Sequence, residues 1–243
     1  VLETVQRVYH ETEQVFNKTY AQRSKLSELA GLGVEDYQRL HTAPLMPINA
    51  RVITKNFLQD ISKYQSYFVK WGKKHPHLPR YGLALVNQDG SIKQDDPVNG
   101  SLYEWNERNP DNPVFESDCQ VKTPIFYLPS LNSVRTMDIN WCRSNILKWE
   151  RGAEFLPHID TFMPSPWIRL WGCSDADSIE LTFYDKSGSI VPHCPIESGR
   201  IYIIDTFLVH TAKCVGDTCY QYFLSALPDA HKYLHERKIH PTS

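Results

Sequence analysis

His158 and Asp160 stand two positions apart in ERGAEFLPHIDTF, and a lone histidine, His210, follows about fifty residues later in GRIYIIDTFLVHTAK. Side chains along a strand alternate between faces, so a His-x-Asp pair on a strand points one way and reaches one ion together. Two imidazoles and one carboxylate cover one face of an octahedral Fe(II) and leave three positions for a chelating cosubstrate and dioxygen. The chemistry that these residue types and this spacing fit is metal-dependent oxygenation. Alone, the tripeptide fits a surface pair, or a core histidine oriented by its neighbour, just as well. Context favours the metal: Gly152 precedes the pair, and Gly199, an apolar run, Asp205 and His210 follow in order.

The elements that would carry these residues are short and strand-like. Such runs are Pro124–Leu128, Ser144–Trp149, Glu154–Phe162, Trp167–Cys173, Ser178–Tyr184, Ser189–Pro192, Arg200–Phe207 and Cys219–Leu227, separated by turn residues. Runs of this length argue for a barrel or sandwich. Ahead of them, apolar residues between Val1 and Tyr20, and again through Val52, Phe57, Ile61, Tyr64, Phe68 and Trp71, recur at the three- and four-residue steps of a helix face. RYGLALVNQDG reads as a strand entering a turn, and the polar, proline-containing Gln94–Asp118 reads as a long surface loop that covers the pocket or is an uninvolved excursion. The expected class is α+β: a helical flank over 1–78, strands and loop over 79–143, a β core over 144–227 and a helix or tail over 228–243, all one domain.

Composition excludes several classes. A net charge of −2 with 22% charged residues lacks the basic excess of a general nucleic-acid binder. Apolar runs are only a few residues long, which predicts no membrane span, and VLETVQRVYHETEQ lacks a signal peptide's pattern. Six scattered cysteines in a chain of 243 residues are expected to be reduced thiols, so a cytoplasmic location is the expectation.

From about Ser144 to Leu227 the chain resembles the double-stranded β-helix (jelly-roll, cupin-like) of Fe(II)- and 2-oxoglutarate-dependent oxygenases. SNILKWERGAEFLPHIDTF, PWIRLWG and GRIYIIDTFLVHTA are most similar to proline-hydroxylase and aspartyl/asparaginyl-hydroxylase-like members. The resemblance implies His158, Asp160 and His210 as iron ligands, with 2-oxoglutarate and dioxygen as cosubstrates. It also implies hydroxylation rather than halogenation, because Asp160 fills the position that halogenating relatives open for halide. The substrate implied is a small molecule, an amino acid or a derivative.

One feature departs from the family pattern. Members commonly carry an arginine on the last strand for the distal carboxylate of 2-oxoglutarate, whereas this chain reads KCVGDTCYQYFLS, with Tyr220 near that place. A buried dicarboxylate needs a cation. Arg169 in PWIRLWG and Lys148 on the first core strand are the available replacements, with Tyr220 and Tyr222 as hydroxyl donors and Arg143 as a reader of a substrate carboxylate. Trp167 or Trp171 would line the pocket. The missing arginine also supports a cupin-like metal-dependent dioxygenase or isomerase that does not use 2-oxoglutarate, and a non-catalytic binding barrel is a third reading. His193, between two prolines, reads as structural, and His231 and His235 read as one face of a terminal helix.

Overall fold

The computed structural model describes residues 2–11, 42–72, 74–92, 100–160, 168–206 and 208–239. Its strands are β1 (Leu45–Arg51), β2 (Val69–Lys70), β3 (Arg80–Asn87), β4 (Val121–Lys122), β5 (Trp141–Glu150), β6 (Glu154–His158), β7 (Ile168–Cys173), β8 (Ile179–Tyr184), β9 (Ile190–Val191), β10 (Arg200–Ile204), β11 (Val209–Cys214) and β12 (Thr218–Ala226). They form two sheets, one in the order β1-β10-β7-β12-β5-β3-β2 with β4 on β3, the other β6-β11-β8-β9. From β5 onward the chain passes back and forth between the sheets, with β5, β7, β10 and β12 in the larger and β6, β8, β9 and β11 in the smaller. That interleaving of antiparallel strands is a double-stranded β-helix, flanked by helices in an α+β arrangement.

Alternation sorts the larger sheet into two faces. Leu147 and Trp149 of β5 and Trp171 of β7 point between the sheets, where they meet Phe183, Tyr202 and Ile204. Ile146, Leu170 and Tyr222 point the other way and pack under Phe57 and Ile61 of the helix Thr54–Ile61. Phe57 is wholly buried and meets Tyr220 and Tyr222 edge-on, with ring centroids 5.7 and 5.0 Å away. The larger sheet therefore has an inner face for chemistry and an outer face for packing.

Several expectations change. The run Pro124–Leu128 is not a strand: Pro124 begins the 3-10 turn Pro124–Tyr127, and the Thr123 hydroxyl caps it by accepting from the Ile125 amide at 3.2 Å. Proline carries no amide hydrogen for a ladder, and its fixed φ suits the start of a turn. The 1–78 flank is not helical throughout, because Leu45–Arg51 adds the edge strand β1 to β10. The second helical pattern ends at Ile61, passes through the 3-10 turn Ser62–Tyr67 and finishes as strand β2. The strand β11, which carries His210, went unread in the sequence because VHTAKC has few large apolar residues.

Of the first helical pattern, residues 2–11 are helical and the remainder lies outside the described residues. This helix lies against the site. Val5 packs on Ile159 and Val209, and the Tyr9 hydroxyl donates to the Tyr184 carbonyl at 2.6 Å while accepting from the Val209 amide at 3.1 Å. Among the described residues, no helix is long and apolar enough to cross a membrane.

Candidate functional site

The two histidines are brought together by strand pairing. His210 of β11 stands directly opposite His158 at the end of β6, with ring centroids 4.4 Å apart. Asp160 arrives differently. β6 ends at His158, so Asp160 is not on the strand, and its backbone amide instead donates to the Thr206 carbonyl at 3.1 Å. Its Oδ1 then lies 3.3 Å from His158 Nε2, and donor atoms of all three side chains fall within 4.8 Å of one another.

Ring tautomers make this cluster more than a juxtaposition. His158 Nδ1 is 2.7 Å from the Leu156 carbonyl, and His210 Nδ1 is 2.9 Å from the Leu208 carbonyl. A carbonyl only accepts, so each Nδ1 is an N–H, and when the ring is neutral it is Nε2 that carries the lone pair a metal takes. Fixing one nitrogen on a backbone carbonyl is how proteins orient an imidazole toward a metal. His193 lacks this arrangement, because its nitrogens contact the carbonyls of Cys194 and Leu181 at 2.7 and 2.9 Å.

Electrostatics suit a cation in the same place. Burial raises the Asp160 pKa, but the His158 hydrogen bond and the neighbouring His158, His210 and Arg169 outweigh it and hold the carboxyl well below the usual range. His210 is pushed down to about 4, chiefly by burial and then by His158. A divalent ion thus meets an ionised carboxylate and a neutral imidazole at ordinary pH. The same shift predicts acid sensitivity. With His210 depressed in the folded chain, its contribution is fully present above the ordinary value near 6.5 and is lost as pH falls toward about 4. Urea titrations of metal-free protein are expected to show a loss on the order of 3 kcal/mol across that window. His210→Gln should flatten it, and an equal slope in both proteins would contradict the assignment.

The cluster opens into a cavity of about 210 Å³ between the sheets, walled by Leu147, Trp171, Leu181, Ile204 and Phe223, with Arg143 and Arg169 also lining it. A second hollow of about 300 Å³ shares Trp71, Tyr103, Phe155 and His158 with it. The segment expected to be a surface loop takes part, since Ser101, Tyr103 and Glu116 line the cavity. Its residues 93–99 lie outside the described residues.

Arg169, on the inner face of β7, is 5% exposed, and its Nε lies 3.9 Å from Asp160 Oδ2. Burial favours its neutral form, but Glu116 and Asp160 outweigh that and raise its pKa. Lys148 and Tyr220 do not join it. They pair with each other across β5 and β12, one residue out of phase with the inner face. Lys148 Nζ sits over the Tyr81 ring and 3.3 Å from Glu150, and the Tyr220 hydroxyl accepts from Gln65 Nε2 at 3.1 Å. Tyr222 shares that outer face, under Phe57. These three side chains are therefore turned away from the cavity by the two-residue period of a strand. Trp171 lines the cavity, with Nε1 donating to Gln221 Oε1 at 2.8 Å, whereas Trp167 lies outside the described residues.

Sequence reasoning missed Glu116, which lines the cavity, and Ser225, which hydrogen-bonds to Arg169 and Glu116 behind it. Once the structure shows Gln221 and Phe223 facing inward, strand parity puts Ser225 on the same face, opposite Arg169; Glu116 left no such signal.

No family model and no curated protein matches the chain. Among solved structures, it is similar to a prolyl hydroxylase from Trichoplax adhaerens in complex with a hypoxia inducible factor oxygen degradation domain peptide fragment. That match has 14% identity, covers 86% of this chain and 94% of that one, and has a TM-score of 0.43. HygX from Streptomyces hygroscopicus, with nickel, 2-oxoglutarate and hygromycin B bound, matches at 10% identity over 81% of this chain and 88% of that one, with a TM-score of 0.43. An 11S allergen from Cocos nucifera matches at 12% identity and a TM-score of 0.29 over 35% of this chain, which spans only 22% of that protein. At these values the chemistry has to rest on the cavity's own residues.

Proposed function

We propose that His158, Asp160 and His210 hold Fe(II) and that the protein is a 2-oxoglutarate-dependent oxygenase hydroxylating an aliphatic C–H bond of an amino acid or amino-acid derivative. The observation carrying this reading is the pair of imidazoles, each held through Nδ1 on a backbone carbonyl, that gather with the Asp160 carboxylate so that donor atoms of all three lie within 4.8 Å of one another. Fe(II) held by these residues would supply dioxygen activation coupled to decarboxylation of 2-oxoglutarate, turning substrate, O2 and 2-oxoglutarate into hydroxylated substrate, succinate and CO2. With Asp160 as a ligand, the position a halide would need would be filled, which supports oxygen insertion over halogenation.

The chain's own residues supply binding, orientation and exclusion of water. Arg169 offers a planar fork matched to a carboxylate. Leu147, Leu181, Ile204 and Phe223 give the reacting carbon an apolar wall, and a dry wall strengthens every charge interaction within it. Arg143, 5% exposed with its guanidinium 5.2 Å from the centre of the Trp71 ring and 3.8 Å from Glu116, adds a second buried cation to the cavity, which supports a carboxylate-bearing ligand there.

A metal-dependent dioxygenase or isomerase working without 2-oxoglutarate is the second reading. Its support is that Glu116 already engages Arg169 at 3.1 Å. Anaerobic addition of Fe(II) and 2-oxoglutarate separates the two. The first reading expects a weak visible metal-to-ligand band and, in air, succinate formation stimulated by one member of an amino-acid panel. Fe(II) uptake with no band would leave the second reading in place.

A further inference from the structure

Glu116 is a carboxylate held in the way a ligand's carboxylate would be. It opens the 3-10 turn Glu116–Asp118, yet its side chain is turned into the cavity and is 6% exposed. Oε1 accepts from Arg169 Nη2 at 3.1 Å and lies 3.8 Å from Arg143 Nη1, while Oε2 accepts from the Ser225 hydroxyl at 3.3 Å. Arg169 Nη1 also donates to the Ser225 hydroxyl, which stands opposite it in the β7–β12 register. Arg143, Arg169 and Ser225 are each 5% exposed or less. A guanidinium fork with a hydroxyl beside it, both fixed on neighbouring strands of a rigid sheet, grips both oxygens of any carboxylate.

We infer that Arg169 and Ser225, with Arg143 alongside, are a carboxylate receptor whose occupant here is Glu116 of the same chain, and that an incoming carboxylate must displace Glu116 to bind. The receptor follows from the contacts alone; naming the incoming group as the distal carboxylate of 2-oxoglutarate rests on the function proposed above. Two arguments support displacement over sharing. Two carboxylates against the same oxygen-binding atoms in a buried site do not both stay ionised. The two arginines that line this cavity also both face Glu116 already, so a second carboxylate within it finds no guanidinium outside this group. Receptor and occupant are also held differently: Arg169 and Ser225 stand on central strands, whereas Glu116 sits on a connection between the helix Leu102–Arg108 and β4. The occupant is the part that can leave.

Glutarate, a dicarboxylate without the keto group that chelates a metal, probes the receptor in metal-free protein. Millimolar glutarate is expected to raise the melting temperature of Glu116→Ala by about 3 °C or more while moving wild type by less than about 1 °C. Adding Arg169→Met to Glu116→Ala should erase the response. If Glu116→Ala does not fold, Glu116→Gln, which keeps the shape, gives the same comparison. In Mn(II)-loaded protein, calorimetry should show 2-oxoglutarate binding Glu116→Gln about tenfold tighter than wild type, or more. Equal glutarate responses in wild type and variant, or 2-oxoglutarate binding that is unchanged or weaker in Glu116→Gln, would overturn the inference. A glutarate response confined to the variants with no 2-oxoglutarate binding in any protein would uphold the receptor and sink the cosubstrate assignment.

Discussion

Asp160→Ala is expected to leave a folded protein that binds Fe(II) or Mn(II) roughly a hundredfold or more weaker than wild type, since even outer-shell changes at metal sites cost about 10- to 100-fold. Succinate formation should fall at least in proportion. The reason lies in how the three donors are held. His158 and His210 are set by β6–β11 pairing and by carbonyls on their Nδ1 atoms, so they stay in place when Asp160 is removed. What disappears is the only anion among the three donors, one kept ionised by the two imidazoles and Arg169. Asp160→Asn separates charge from shape: it keeps an oxygen near His158 but loses the negative charge, and it should fail almost as completely. Metal content after anaerobic gel filtration, with melting temperature measured with and without Mn(II), is the check. Full metal uptake by both variants would mean the ion binds elsewhere.

Arg169→Met is expected to cost about 3–5 kcal/mol of stability, the usual result of removing one partner from a buried charged group. It leaves Glu116 and Asp160, both facing the cavity, without the guanidinium 3.1 and 3.9 Å away. Replacing both partners is different. Arg169→Met with Glu116→Leu removes a buried positive and a buried negative group together, and should recover most of that loss in urea denaturation. Cosubstrate affinity should not return with it, because the double variant has no fork to hold a carboxylate. Recovery of 2-oxoglutarate binding in the double variant would move the carboxylate site away from Arg169. A double variant no more stable than Arg169→Met would mean that the two charges are not a pair.

These two residues also show how unevenly the site could be read from sequence. For Arg169, the flanking apolar residues of PWIRLWG mark a strand, and a charge within such a strand has to meet a partner. For Lys148 and Tyr220 the same strand logic was available but its phase was not, because nothing in LKWE or CYQYF states which face looks inward. The flanking helix Thr54–Ile61 decides it by covering the face that bears Tyr220 and Tyr222. His158 and Asp160 illustrate a right pairing reached for an incomplete reason. They share a target, but β6 stops at His158, and the bond from the Asp160 amide to Thr206 completes the geometry.

By itself the sequence determined the ligand types, their order along the chain and the strand-rich core that carries them, because alternation and turn residues are local properties of the chain. Tertiary structure alone decided that His210 stands opposite His158, that Arg169 rather than Lys148 faces the cavity, and that Glu116 reaches Arg169 and Ser225. Each of those depends on register and sheet face, set by contacts between segments tens of residues apart, and a one-residue change of phase reverses every side chain on a strand.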